Sequence, residues 1–307
     1  MILWSSGKKM VGIVIAGPTA VGKTAISIEV AKALDAEIIS ADSMQVYKKL
    51  DIGTAKISEN EKQGIIHHLI DVVEPVHKFS VGEYYRYAGE ILGEMERDNK
   101  KIVVAGGTGL YIDAVTEGIA MLPESTPELR KELLNKSLEE LKKMLFEVDP
   151  ESYCEIDLNN RRRVERAVEV FMLSGEKMSK LKRNNIKNNS YDFIKFALER
   201  DRELLYSRIN KRVDIMFENG LYEEAKIVYS EYKEGINEIA AIGYRELFMH
   251  FKGEISLLEA KEMIKQNSRK YAKRQFTWFK NDPSYRWINL DEVSQEDAVK
   301  IILNEVK

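Results

Sequence analysis

The amino-acid sequence predicts an α/β fold: a parallel sheet with helices on both faces, interrupted by an inserted helical domain. Short apolar runs rich in β-branched residues alternate with amphipathic stretches in the first part of the chain, a pattern typical of a parallel sheet. The same pattern returns towards the end of the chain. Between these two parts the strand pattern is absent, and long charged amphipathic stretches replace it.

The first part of the chain predicts three strands and two helices. Val11–Ala16 is a short apolar run, and an amphipathic helix follows it through Leu34. A later apolar run, "KIVVAGG", is ended by its two glycines. In order, the predicted elements are a strand at 11–16, a helix ending at Leu34, a strand at 37–40, a helix at 81–97 and a strand at 101–107.

The middle of the chain predicts helices, and strands return after it. Charged amphipathic stretches at 127–147 and 160–174 precede a polar run at 182–192. A strand is then predicted at 193–200, helices over most of 203–280, and a short strand in "RWINL" before a terminal helix. The predicted domains are a core of residues 1–122 and 190–307 and a helical insertion of residues 123–189.

Composition limits the class of protein. Of the 307 residues, 44% are hydrophobic, which is enough for a sizeable core, and no segment is apolar enough to span a bilayer. The single cysteine, Cys154, excludes an intramolecular disulfide and a zinc site built on paired thiolates. The adjacent His67 and His68 point apart on a helix or a strand, so they do not predict a metal pair. We expect a cytoplasmic monomer with no membrane partner.

Positive charge is concentrated in two segments. The net charge is −3, yet residues 159–187 hold nine Lys/Arg against three Glu, and residues 266–286 hold six against one Asp. Local basic segments on an acidic chain favour a polyanion bound at a defined place. Solvated helix faces are the alternative interpretation of the same pattern.

The stretch "GPTAVGKT", residues 17–24, has the G-x-x-x-x-G-K-[ST] spacing of a phosphate loop and lies between a predicted strand and a predicted helix. Its backbone amides can surround an anion, Lys23 can reach the outer phosphate, and the Thr24 hydroxyl can be a ligand of Mg²⁺. The sequence therefore predicts a P-loop core that holds a Mg²⁺-bound polyphosphate group. The loop does not specify adenosine, so ATP and other diphosphates remain open.

The usual apparatus of a P-loop hydrolase is incomplete in this chain. Such an enzyme pairs the loop with an aspartate at the end of a buried strand, where it helps to hold the metal. Here the best strand, 102–105, ends in two glycines. Asp71 follows a shorter apolar run and is the weaker candidate.

Two polar side chains follow predicted strands at the sheet edge where α/β proteins bind ligands. Asp42 in "ISADSMQVY" is a candidate base or acceptor-binding group, and a turn or helix-cap aspartate is the equal alternative. Thr108 in "GGTGLY" reaches the same edge, with a helix-cap role as its alternative.

Taken together, these motifs resemble the tRNA dimethylallyltransferase family, whose members prenylate the adenosine next to the anticodon. Seven segments carry the resemblance in order along the chain to about residue 280. They are "GPTAVGKT", "ADSMQVYKKLDIGTAK", "HHLIDVVEP", "FSVGEYYRYA", "AGGTGLYIDAV", "NNRRRVERAVEVF" and "AAIGYRE". An ordered series of this kind is far more specific than the phosphate loop alone.

The resemblance implies that the loop holds the diphosphate of dimethylallyl diphosphate with Mg²⁺ as cofactor, and that no nucleotide is consumed. Asp42 then takes the proton of the adenine N6 amine, and Thr108 and Arg130 lie near the transfer site. Arg212 resembles a family arginine that contacts the diphosphate, with Arg208 one turn earlier as the alternative. The implied diphosphate-binding residues are Gly17, Thr19, Ala20, Val21, Gly22, Lys23, Thr24 and Arg212, with Thr24 also on the metal.

The resemblance also implies an interface for the anticodon stem-loop of tRNA. The implied tRNA-binding residues are Asp42, Ser43, Met44, Gln45, Arg162, Arg163, Arg166, Gly243, Tyr244 and Arg245. A charged helix face is the alternative for the three arginines at 162–166, since glutamates lie at helical spacing from them. The aromatic residues of "RKYAKRQFTWFK" could stack on RNA, but their helical spacing favours the protein core.

Three other functions remain as alternatives at this point. A P-loop kinase acting on a nucleoside or small alcohol would turn over ATP. A prenyltransferase acting on free AMP or ADP would need neither the insertion nor the basic segments. An RNA-binding module that keeps the loop only for structure would tolerate loss of Lys23.

Overall fold

The computed structural model describes residues 10–120, 122–183, 191–233, 235, 239 and 241–306. It divides into two compact units. The first comprises residues 1–116 and 189–307, and the second comprises residues 117–188. The predicted polar run at 182–192 lies largely outside the described residues, since 184–190 are not described.

The first unit contains a six-stranded sheet whose strands all run parallel, which confirms the predicted fold class. The strands are β1 (Met10–Ala16), β2 (Ala36–Ala41), β3 (His67–His68), β4 (Lys101–Gly106), β5 (Tyr191–Glu199) and β6 (Arg286–Asn289). Their spatial order is β3-β2-β4-β1-β5-β6, so β1 and β4 are neighbours in the middle of the sheet.

Helices surround this sheet and build the second unit. In chain order, those of the described residues are α1 (Lys23–Leu34), α2 (Glu59–Lys62), α3 (Val81–Arg97), α4 (Gly109–Glu117), α5 (Pro127–Leu134), α6 (Leu138–Val148), α7 (Pro150–Glu155), α8 (Arg161–Ser174), α9 (Met178–Arg183), α10 (Arg202–Glu218), α11 (Leu221–Glu231), α12 (Tyr244–Phe251), α13 (Leu257–Lys280) and α14 (Gln295–Asn304). None of them has both the length and the apolar composition that crossing a membrane requires.

The predicted continuous stretch at 127–147 is wrong in one respect, because the chain breaks it into α5 and α6. Asn135 caps the end of α5. The Ser137 side chain then accepts a hydrogen bond from the Glu140 backbone N–H, and the Glu140 carboxylate accepts one from the Ser137 backbone N–H, which makes a capping box. Such a box satisfies the unpaired amides of a helix start, so it begins a new helix here.

Both faces of the central strands are buried, which explains their uninterrupted apolar sequence. Ile13 and Ile15 of β1 belong to the hydrophobic cluster on one face. Val14 and Ala16 belong to the cluster on the other face. A strand sandwiched between helices in this way has no polar face to present to water.

The carboxyl ends of β1, β2 and β4 meet at one edge of the sheet. Gly106 at the end of β4 pairs with Ala16 on one side and with Ala41 on the other. The phosphate loop follows Ala16, and Asp42 follows Ala41. The fold thus brings three segments that are distant in sequence to a common point.

Each unit has a separate supporting cluster outside the sheet. In the first unit, apolar residues of α10 to α13 pack with Leu50 from the segment after β2. In the second unit, Leu141, Leu145 and Val164 are fully buried in a cluster formed by the inserted helices. The insertion therefore has a hydrophobic core within its own residues.

Gly106→Ala should destabilise the fold, because the added Cβ would lie 2.1 Å from the Ala41 carbonyl oxygen of the neighbouring strand. Backbone cannot move as a flexible side chain can, so we expect a loss of at least about 2 kcal/mol. Gly89→Ala on α3 is the matched control, since its Cβ would meet nothing within 4 Å. Thermal unfolding of both variants measures the effect, and an unchanged midpoint for Gly106→Ala would contradict this packing.

Candidate active site at the carboxyl edge of the sheet

A cleft of about 890 Å³ opens in the first unit where the phosphate loop, the segment after β2 and helices α10 and α13 come together. We call it the central cleft. Its described lining includes these predicted site residues: Thr19, Ala20, Gly22, Lys23, Thr24, Asp42, Ser43, Met44, Gln45, Arg212, Gly243 and Arg245. Residues predicted from four separate parts of the sequence therefore share one cavity.

The phosphate loop has a conformation that only certain residues adopt easily. Gly22 has φ of +122°, a value that costs glycine little, and it directly precedes the first residue of α1. The Lys23 Nζ donates hydrogen bonds to the carbonyls of Gly17 (2.9 Å) and Pro18 (2.8 Å). Burial lowers the pKa of Lys23 to about 8, although the nearby Asp42 opposes this shift. The N-terminus of α1 and the ammonium group together provide an anion site.

Gln275 on α13 connects the phosphate loop to the glycine turn after β4. Its Oε1 accepts a hydrogen bond from the Thr19 backbone N–H (2.9 Å), and its Nε2 donates to the Gly107 carbonyl (2.9 Å). The side chain is buried. A Cβ on Gly107 would lie 2.1 Å from the Gln275 amide nitrogen, so the glycine is needed for this close approach.

Asp42 both makes a local turn and faces the central cleft. Its Oδ1 accepts a hydrogen bond from the Met44 backbone N–H (2.9 Å). The carboxylate also lies among the residues that line the cleft. The two interpretations of Asp42 left open by the sequence are therefore compatible, because one carboxylate oxygen is enough for the turn.

Thr108 connects the turn after β4 to the segment that holds Asp42. Its hydroxyl accepts a hydrogen bond from the Ser43 backbone N–H (3.0 Å). Tyr271 on α13 bonds to the side chains of Thr108 and Ser43. Burial raises the pKa of Tyr271, and the charge of Asp42 acts in the same direction. The Tyr271 hydroxyl thus stays protonated next to the carboxylate.

The central cleft is strongly cationic. Its lining within the described residues contains six cationic side chains, Lys23, Arg208, Lys211, Arg212, Arg245 and Arg274, and one acidic side chain, Asp42. Burial lowers the pKa of Arg212, and the carboxylates of Asp42 and Glu61 oppose that shift. Arg208 donates from Nε to the Ala20 carbonyl of the phosphate loop (2.9 Å). Both candidate arginines therefore belong to the cleft.

Three predicted site residues are buried, hydrogen-bonded or closely packed within the protein itself. Tyr244 is fully buried. Val21 is also buried, and its carbonyl accepts a hydrogen bond from Arg200 (3.1 Å). A Cβ on Gly17 would lie 2.8 Å from the Leu198 carbonyl oxygen, so the loop passes close to β5 there. The predicted ligand contacts of Tyr244, Val21 and Gly17 stay predictions.

The predicted arginines of the insertion lie in the second unit, on α5 and α8. Arg166 pairs with the buried Glu169 (2.6 Å) and donates to the Pro123 carbonyl (2.7 Å). Arg130 also approaches Glu169 (3.9 Å), while Arg162 and Arg163 are exposed. The helical pairing that the sequence offered as an alternative is thus present at Arg166, and the roles of all four in catalysis or RNA binding stay predictions.

Asp71, the weaker metal candidate, has a structural partner, and so do the two histidines that were not predicted to bind metal. Asp71 forms an ion pair with Lys56 (2.5 Å). His68 bonds to Glu37 (2.6 Å), and His67 bonds to the Ile65 carbonyl (2.9 Å). Within the part of the chain that the structure describes, no group of three or more His, Cys, Asp or Glu side chains could hold a metal ion.

Comparison with known proteins identifies the family. The profile of the IPP transferase family matches residues 45–282. The tRNA dimethylallyltransferase of Fusobacterium nucleatum is 53% identical over 290 residues, which cover 94% of this chain and 95% of that protein. The chain belongs to the IPP transferase family. This confirms the resemblance that the ordered motifs predict.

Solved structures of IPP transferases share the fold. The full-length tRNA isopentenylpyrophosphate transferase from Bacillus halodurans has a TM-score of 0.74 and 38% identity, with 97% of this chain and 96% of that chain covered. The structure of a eukaryotic dimethylallyltransferase acting on tRNA has a TM-score of 0.81 and 26% identity. It covers 97% of this chain, and this chain covers 80% of it. The α/β core of this chain is therefore that of its IPP transferase relatives.

Sequence reasoning missed Gln275, Asn267 and Ser268, and it assigned no role in this cleft to Tyr271 or Arg274. All of them line the central cleft from α13. Their spacing of three and four residues places them on one helical face, but this spacing does not indicate what that face contacts. Of the aromatic residues in the same segment, Phe279 is fully buried in the core, as the helical spacing favours.

Proposed function

We propose that this chain transfers the dimethylallyl group of dimethylallyl diphosphate to N6 of the adenosine on the 3′ side of the anticodon in tRNA, releasing diphosphate. One observation carries the proposal: a phosphate loop, a concentration of cations and the Asp42 carboxylate face the same cleft. The tRNA dimethylallyltransferase of Fusobacterium nucleatum supports it, because 94% of this chain aligns with that enzyme at 53% identity.

The cationic side of the cleft suits the leaving diphosphate. As the bond between C1 and the diphosphate oxygen breaks, the bonding electron pair and negative charge move onto that oxygen. Lys23, Arg208 and Arg212 supply fixed positive potential at this end of the cleft. Because these groups are already in place, they stabilise the developing charge without reorganisation during the reaction.

Asp42 suits the acceptor side. The adenine N6 lone pair is delocalised into the ring, so the amine is a weak nucleophile until its proton is taken. In the transfer, a bond forms between N6 and C1, and the N6 proton passes to the Asp42 carboxylate. Thr108 and Tyr271 hold the Ser43 segment next to Asp42 in place through their hydrogen bonds. The reaction is balanced, because one proton and one diphosphate leave for each group transferred.

The residues present fit a Mg²⁺ ion. Mg²⁺ prefers oxygen ligands and is usually held by one or two protein oxygens together with substrate phosphates and water. Thr24 and Asp42 both line the cleft beside Lys23, and both carry oxygen donors. We propose that Thr24 holds the ion, whose charge would offset that of the leaving diphosphate when it is bound.

A macromolecular acceptor fits the further cations that line the cleft from α12 and α13. Arg245 lines the cleft from the first turn of α12, and Arg274 lines it from α13. A base must leave its stack to reach Asp42 inside the cleft, and this costs least in a single-stranded loop. An anticodon loop therefore suits the site better than duplex RNA.

Incubation of the protein with labelled dimethylallyl diphosphate, Mg²⁺ and bulk tRNA tests the proposal. We expect label in the tRNA, none in AMP or ADP offered in parallel, and no consumption of ATP. Label appearing in AMP instead would identify a prenyltransferase of free nucleotides. Phosphate transfer from ATP would identify a kinase.

Arg162→Ala should weaken tRNA binding and reduce the dependence of the binding constant on salt. Arg162 is an exposed cation in the basic segment of the insertion. Loss of one phosphate contact lowers the slope of log K against log salt by roughly 0.7 to 0.9. Lys143→Ala, an exposed cation on α6, is the matched control and should leave the slope unchanged. Equal slopes for Arg162→Ala and the wild type would contradict a phosphate contact at this position.

A further inference from the structure

Glu224 on α11 binds a run of consecutive backbone amides in the segment that follows β2. Its carboxylate accepts hydrogen bonds from the N–H groups of Asp51 (3.1 Å), Ile52 (2.9 Å) and Gly53 (3.2 Å). It also accepts one from the Tyr244 hydroxyl (2.5 Å). Hydrogen bonds to a charged acceptor are about twice as strong as neutral ones, so four at one carboxylate make a firm attachment.

The backbone segment that Glu224 binds forms one wall of the central cleft. Gly53, whose amide Glu224 binds, lines the cleft together with the next two residues, Thr54 and Ala55. The Gln45 side chain donates to the Ala55 carbonyl (3.3 Å). Gln45 itself lines the cleft three residues after Asp42. Glu224 therefore fixes the backbone of residues 51–53. The adjoining Ala55 carbonyl accepts the hydrogen bond that holds Gln45, close to Asp42 in sequence.

Tyr244, which donates to Glu224, belongs to the segment that forms a second wall of the same cleft. Tyr244 is fully buried between Gly243 and Arg245, and both of these neighbours line the cleft. The Tyr244 hydroxyl also accepts a hydrogen bond from the Gly53 N–H (3.2 Å). A Cβ on Gly53 would lie 2.5 Å from the Tyr244 ring, so the two walls are in close contact at this point.

We infer that Glu224 is a positioning residue that holds the two acceptor-side walls of the central cleft, the 42–55 segment and the 243–245 segment, in the arrangement that receives the RNA. The inference rests on the proposed function, because both segments carry predicted tRNA contacts. Glu224 acts through these segments and makes no contact with the diphosphate end of the cleft among its described hydrogen bonds.

The positioning role and simple electrostatics make opposite predictions for Glu224→Gln. Removing a negative charge near a polyanion should by itself strengthen RNA binding. Glutamine, however, has one acceptor oxygen and an NH₂ group, and its NH₂ group would face the backbone N–H donors. The amides of the 51–53 run would then lose partners, and the two walls would separate.

The experiment measures tRNA affinity, the KM for dimethylallyl diphosphate and kcat for the full-length wild type, Glu224→Gln and Glu223→Gln. Glu223 is the adjacent exposed residue, so its variant makes the same change of charge without breaking the attachment. We expect Glu224→Gln to weaken tRNA binding about tenfold, with the KM for dimethylallyl diphosphate within about twofold. Glu223→Gln should bind tRNA as tightly as the wild type or more tightly.

Tyr244→Phe keeps the buried ring and removes only the hydroxyl that donates to Glu224. It therefore tests the positioning role if Glu224→Gln fails to fold. We expect it to weaken tRNA binding in the same direction, and the double variant to lose less than the two single losses combined. Unchanged or tighter tRNA binding by a folded Glu224→Gln overturns the inference, as does an equal loss at the diphosphate end. A wild type that neither binds nor prenylates tRNA overturns the proposed function itself.

Discussion

Asp42→Asn should slow the chemical step by about a thousandfold while leaving the affinity for dimethylallyl diphosphate within about twofold. Asparagine keeps the size of the side chain and an oxygen for the Met44 N–H, so the local turn survives. It cannot take a proton from the N6 amine. The loss therefore falls on the step in which N6 attacks and spares the binding of the donor.

Single-turnover rates and donor binding constants measure these two effects separately. Asp71→Asn is the control, because Asp71 pairs with Lys56 and is absent from the described lining of the cleft. That variant should keep the wild-type rate. Equal losses of rate and donor affinity in Asp42→Asn would contradict its role as the base and would favour a role in holding the diphosphate.

Lys23→Ala should lower both the affinity for dimethylallyl diphosphate and the transfer rate, the latter by about a hundredfold or more. Its ammonium group is buried in the phosphate loop beside the cleft. The bound diphosphate is already negatively charged and gains further negative charge as the C1–O bond breaks, so loss of the cation affects both binding and the transition state. Donor binding by calorimetry and the rate of diphosphate release measure the two effects.

Lys32→Ala on the same helix is the matched control for Lys23→Ala. Lys32 forms an ion pair with Glu29 (2.9 Å) near the other end of α1, so its loss should not change donor affinity. Wild-type donor affinity and rate in Lys23→Ala would mean that the loop is retained only for structure. Intact tRNA binding by Lys23→Ala, together with no transfer by the wild type, would favour the interpretation as an RNA-binding module.

Local sequence was enough to predict the parts of the site whose chemistry is local. The phosphate loop is a contiguous segment, and Asp42 directly follows a strand, so adjacency in sequence places both at the sheet edge. Strands β1, β2 and β4 were likewise predictable, since burial on both faces leaves apolar runs, whereas the two-residue strand β3 was not predicted. The predicted strand at 37–40 extends by one residue at each end in the structure.

The remaining parts of the site depend on tertiary contacts that no local pattern contains. Gln275 reaches Thr19 across 256 residues of sequence, and nothing in "AKRQFTW" distinguishes its amide from any other polar side chain on a helix. The motif around Tyr244 predicted a contact with RNA, which stays a prediction. The structure adds that its ring is fully buried and that its hydroxyl donates a hydrogen bond to Glu224. Such roles follow from which helices pack together, and periodicity does not reveal partners.

Analysis of the reaction products tests the central claim most directly. The protein is incubated with dimethylallyl diphosphate, tRNA, Mg²⁺ and ATP, and the tRNA is then digested and its nucleosides are identified by mass spectrometry. We expect one dimethylallyl group on N6 of the adenosine 3′ to the anticodon for each diphosphate released, with ATP unchanged. Consumption of ATP with no prenylated nucleoside in the tRNA would contradict the claim.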